Sequence, residues 1–156
     1  MRRVLTVLVA VLAAVLVAAP AMAAPAGKDS PANDNPNNLY LYQKDSGWNI
    51  VWDGAWGKYN YRLNGTTISG PFNGHELVAG VKYALVEYLT WPNVVVLGTG
   101  TADEEGDVHI ITRGVLLPGE FENKYKIWLV PTSDLTGNAF NSWHPQNYLF
   151  EHNLIP

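Results

Sequence analysis

From Leu39 onward, glycine and proline interrupt this chain every several residues, and no window between them holds a convincing helical period. The intervening segments are short, β-branched and aromatic, a composition that suits a pleated surface rather than a helix. Leu39 to Gln43, Trp48 to Trp52, Lys58 to Leu63, Lys82 to Leu89, Val94 to Thr101, Val108 to Arg113, Lys126 to Val130 and Tyr148 to His152 read as strands. Trp48, Trp52 and Trp56 stand four apart, which fits a helical face as well as alternation. Gly54 and Gly57 weigh against the helix, and Asp53-Gly54 suits a tight hairpin. The expectation is an all-β domain over residues 39–156, folded as a single antiparallel β-sandwich of immunoglobulin-like or related type, with no internal repeat or second linker.

Two segments precede that domain. Arg2 and Arg3 open the chain, an uncharged apolar run follows from Val4 to Ala19, and Ala21-Met22-Ala23 supplies the small-x-small pattern of a cleavage site. Residues 1–23 read as a secretory signal peptide, too short to stay as a spanning helix. Residues 24–38, APAGKDSPANDNPNN, carry no large apolar side chain to offset the entropy of ordering them, and read as a flexible leader. The expected product is secreted or extracytoplasmic, with no membrane insertion after cleavage.

The chain has no cysteine, which excludes disulfides, thiol catalysis, lipid attachment through cysteine and cysteine metal sites. Stability must come from a core, for which six Trp and eight Tyr are a generous supply. Removing Arg2 and Arg3 with the signal leaves a mildly acidic domain with scattered cations. Nucleic acid and anionic membrane surfaces need clustered Lys and Arg, so neither is expected as a partner. Asn64-Gly65-Thr66 fits the pattern for glycosylation of Asn64.

The clearest local motif runs from Thr99 to Ile110, where apolar strands flank the acidic loop Ala102-Asp103-Glu104-Glu105-Gly106-Asp107. Gly106 would take the positive φ that closes such a loop, and Asp103 can accept from backbone amides ahead of it. This hairpin, and the run from Leu77 to Tyr88, resemble segments of immunoglobulin-like β-sandwiches. More broadly, WNIVWDGAWGKYNY, FNGHEL, YALVEY, LGTGTADEEGDVHI, KIWLVP and YLFEHNLI together resemble a family of uncharacterised exported domains seen mainly in methanogenic archaea. The resemblance implies secretion and a β-rich domain and carries over no catalytic or binding residue. Where that family reads Tyr-Pro-Asp-Pro-Trp-Pro after the central strand, this chain has the shorter Tyr88-Leu89-Thr90-Trp91-Pro92.

Few constellations invite chemistry. Asp103, Glu105 and Asp107, with Glu104, crowd carboxylates into one loop that could hold calcium, although a solvated hairpin tip is the favoured reading and no other cofactor is expected. His75, His109, His144 and His152 lack the spacing of a helical zinc motif. There is no Gly-x-Ser-x-Gly elbow, and Gly98-x-Gly100 lacks the later glycine and helix of a dinucleotide fingerprint. Asp53, Glu76, Glu87 and Glu151 could supply a glycosidase pair. Of these, Glu87 lies in an apolar strand, where an outward-facing charge is the favoured reading. The aromatics are the better clue, because Trp and Tyr faces stack on sugar rings. Trp91 and Trp143, beside prolines or turn residues, and Trp56 are the ligand candidates, whereas Trp128 reads as buried. The leading expectation is a non-enzymatic exported protein that acts through protein or surface contacts at the cell envelope. A carbohydrate-binding module is second and a small hydrolase third; the oligomeric state is left open.

Overall fold

The computed structural model describes residues 37–120 and 124–155. The signal peptide expected over 1–23 and the leader up to residue 36 lie outside the described residues. Eleven strands follow in order: β1 (Asn38–Tyr42), β2 (Trp56–Asn60), β3 (Arg62–Asn64), β4 (Thr67–His75), β5 (Lys82–Thr90), β6 (Asn93–Thr101), β7 (Val108–Val115), β8 (Lys126–Pro131), β9 (Leu135–Thr136), β10 (Ala139–Phe140) and β11 (Leu149–Glu151). Two 3-10 turns, Thr132–Asp134 and Pro145–Asn147, complete the regular structure among the described residues. No helix among them is long and apolar enough to cross a membrane.

The all-β, antiparallel expectation holds. The strands form one sheet in the order β3-β4-β2-β1-β11-β8-β5-β6-β10-β9, with β7 on β4. The layers expected of a sandwich are therefore parts of a single sheet that curls until its inner face packs against itself. Alternation supplies that face: Leu39 and Leu41 of β1, Tyr59 of β2, Ile68 and Phe72 of β4, Leu85 of β5, Ile110 of β7 and Leu129 of β8 share one buried cluster. The sheet is open between β6 and β7, which face each other without a shared ladder among the described residues. Glycines permit that approach. A Cβ added at Gly98 would lie 2.8 Å from both Ile110 Cγ2 and the Ile111 carbonyl oxygen, and one at Gly114 would lie 2.6 Å from Leu97 Cδ2.

Three strand readings and one pairing need correction. Trp48 to Trp52 is a loop, because the Asp45 carboxylate accepts from the Gly47 and Asn49 amides and folds the chain into a turn there. Lys58 to Leu63 is broken at Tyr61 into β2 and β3. Strand β4 was not expected at all, since Gly70, Pro71 and Gly74 read as breakers. Pairs to β2 and β3 skip Gly70 and Pro71, so the proline, which has no N–H to give, stands where that ladder is interrupted. The acidic loop closes as anticipated, with the Asp103 amide donating to the Asp107 carbonyl at 2.9 Å and Gly106 at φ 83°. Yet β6 and β7, which it joins, pair with other strands and not with each other.

Candidate functional site

The outer face of the sheet carries a second set of large side chains. Register places His75, Trp56, Tyr42, Phe150, Trp128 and Val86 directly opposite one another across β4, β2, β1, β11, β8 and β5, a transverse row of mostly aromatic residues. In its middle, Trp128 and Phe150 join Val86, Val130, Phe140 and Tyr148 in a cluster separate from the inner core. Trp128 is buried as expected, but in this outer layer, where Tyr88 stacks on it at 4.3 Å between ring centres.

Two loops bring Trp91 and Trp143 onto this layer. Trp91 lies in the β5–β6 turn, before a cis bond to Pro92, and stacks on Phe140 at 5.4 Å. Trp143 meets it at 5.7 Å with the ring planes at 89°, and stands 5.9 Å from Trp128. The pair remain 52% and 41% exposed. Together with Tyr88 and Trp128 they line a cavity of about 390 Å³. The result is a right-angled corner with an aromatic floor, open to solvent and far larger than one ring contact requires.

Asp134 holds that corner in place. Its carboxylate is buried and accepts from Tyr148 Oη at 2.6 Å and from Ser142 Oγ at 3.0 Å, while His144 Nδ1 lies 3.1 Å away. Burial works against the charge on Asp134, but the bonds from Tyr148, His144 and Ser142 outweigh it and keep the carboxyl below its ordinary range. Ser142 and His144 flank Trp143, so one carboxylate grips the chain on both sides of the exposed indole. Both side chains point at the acid rather than the serine at the histidine, an arrangement that clamps a loop and does not activate a nucleophile.

The remaining candidates are dispersed. Trp56 shares the transverse row, but packs against His75 at 4.7 Å with the rings tilted by 34°, beyond Tyr42 from the corner. Asp103 Oδ1 accepts from the Glu105 and Asp107 amides, and Asp107 Oδ1 faces His75 Nδ1 at 2.9 Å. His109 faces Asn73 at 2.7 Å, and among the described residues no three His, Asp or Glu side chains converge on a point suited to a metal ion. Asn64 is exposed beside the β3–β4 turn.

Glu87 overturns the outward reading. It faces inward with Leu85, is 1% exposed, and accepts from the Leu117 amide at 3.0 Å through Oε2, while Oε1 has no partner among the described residues. Burial pushes its carboxyl up from an ordinary value of 4.5 to about 7, against the Leu117 bond. The side chain is sealed from solvent. Burial likewise raises Glu151 to about 7, although Lys44 and Lys126 favour its charged form.

The sequence pointed to Trp91 and Trp143 but not to the partners that make them a site: Tyr88, Trp128 and Asp134. An Asp followed by a Ser-Trp-His triplet is a weak signal, legible only once Tyr148 is known to close the clamp. No family model, curated protein or solved structure matches this chain.

Proposed function

We propose that this chain is an exported, non-enzymatic binding domain that recognises glycans by stacking sugar rings in the Trp91–Trp143 corner. The observation that supports it is the corner itself: two half-exposed indoles at right angles over Trp128 and Tyr88, held by a buried carboxylate. Apolar surface left in water costs about 25 cal/mol per Å², so a gathered and immobilised aromatic surface is what a stacking ligand would cover. Because the rings are already ordered, little side-chain entropy remains to be lost on binding.

The test is tryptophan fluorescence of residues 24–156 titrated with a panel of soluble neutral and acidic polysaccharides. A binder should protect the indoles from an aqueous quencher, and Trp91→Ala or Trp143→Ala should abolish that protection while the domain still melts cooperatively. No protection by any glycan would overturn the reading. A protein-contact role has its own support in β7, where Ile111 and Val115 stand 69% and 53% exposed. It would gain if Ile111→Asp, and not Trp143→Ala, abolished binding to a partner.

A further inference from the structure

Trp143 belongs to two cavities. It also lines a second one, of about 350 Å³, with Lys44, Trp48, Gln146 and Phe150 in place of Trp91, Trp128 and Tyr88. Both compartments have the size of small-ligand pockets, but their chemistry differs. The first is walled by aromatic rings alone, whereas the second contains an ammonium. Lys44 Nζ lies 5.9 Å from the Trp48 ring centre and 5.8 Å from that of Phe150, poised over aromatic faces. It donates one long bond, 3.5 Å, to the Glu151 carbonyl, and no carboxylate lies within ion-pair distance of it among the described residues. The Glu151 carboxyl acts on it only at longer range.

Asp45 also lines this cavity, and its charge would repel an anion. Its oxygens are already occupied: Oδ1 accepts from the Gly47 and Asn49 amides at 2.8 and 2.9 Å, and Asn49 Nδ2 reaches both oxygens at 3.3 Å. Lys44 is then the charged donor of the compartment, beside the neutral Ser46 and Gln146 side chains. Resting on the glycan reading above, we infer that the site spans at least two sugar residues across Trp143 and that the Lys44 compartment selects a uronic acid. A uronate combines what this cavity offers to meet: a pyranose face for Trp48 and Trp143, and a carboxylate for a charge-assisted bond to Lys44.

The experiment is a calorimetric titration with tetramers of galacturonate, glucuronate and mannuronate, each beside its methyl ester, which keeps the ring and removes the charge. For at least one tetramer the acid should bind roughly tenfold more tightly than the ester, the worth of one charge-assisted bond. Lys44→Gln should erase that preference, so that acid and ester bind alike, Lys44→Arg should restore it, and added salt should shrink it. Equal affinity for acid and ester, or a preference that survives Lys44→Gln, would overturn the inference while the stacking site stands. Failure of the esters, acids and neutral polysaccharides alike to bind would remove both.

Discussion

The inner and outer faces of this sheet are both crowded with large side chains, but they are closed by opposite means. The inner face is closed by the sheet itself, which curls so that Leu41, Ile68, Phe72, Leu85 and Ile110 cover one another completely. The outer face is covered piecemeal, by β9, β10 and the loops that carry Trp91 and Trp143, and those two indoles stay partly in water. The inner face is built for cohesion. The outer face maintains order without full burial, and that combination is what a binding surface needs.

Substitutions should separate the two faces, beginning with the largest effect. Phe72→Ala opens a void in the self-closed core and should cost about 3–5 kcal/mol, read as a lowered midpoint in urea. Asp134→Ala should cost about 1–3 kcal/mol, because Tyr148 loses its buried acceptor. It should also raise the quencher accessibility of Trp143, which no core substitution of similar cost would do selectively. Gly98→Ala tests the open seam: a methyl group pressed against Ile110 and the Ile111 carbonyl should cost about 1–3 kcal/mol.

Glu87 sharpens the comparison through pH. Its folded carboxyl titrates near 7 and its unfolded one near 4.5, so its contribution is fully present below 4.5 and is lost as pH rises to about 7. Thermal melts from pH 4 to 8 should show that decline, and Glu87→Gln should reduce it, leaving the share that belongs to Glu151, and raise the Tm at pH 8. An unchanged pH profile would place the titrating group elsewhere. The smallest expected stability change is at Trp91→Ala, within about 1 kcal/mol, although the same change should abolish glycan protection.

Much of the inner face was legible in the sequence. β1, β5, β6, β7, β8 and β11 follow β-branched or aromatic patterning, and the alternating burial of β7 is that of a one-sided sheet, whereas β5 and β8 are buried on both faces. β4 was not legible, because Gly70 and Pro71 act as breakers except opposite an interrupted ladder, and the interruption at Tyr61 depends on two other strands. Gly98 and Gly100 carried no readable meaning until β7 was known to lie against them. The site was half legible: Trp91 and Trp143 stood out beside prolines and turns, but their convergence rests on Asp134, Tyr148 and Phe140, whose roles are set only by tertiary contact. Glu87 was misjudged because alternation cannot say which side of a strand is closed.

The pairing of β1 with β11 has a kinetic consequence. Leu41 sits opposite Glu151 in the interior of the strand order, so the sheet is completed by joining the earliest and latest described strands. Contacts of such sequence separation form slowly and only after nearly the whole domain is available. A chain emerging from a ribosome would expose an unpaired β1 edge until residues 149–151 arrive, and its sheet would stay unfinished up to that moment.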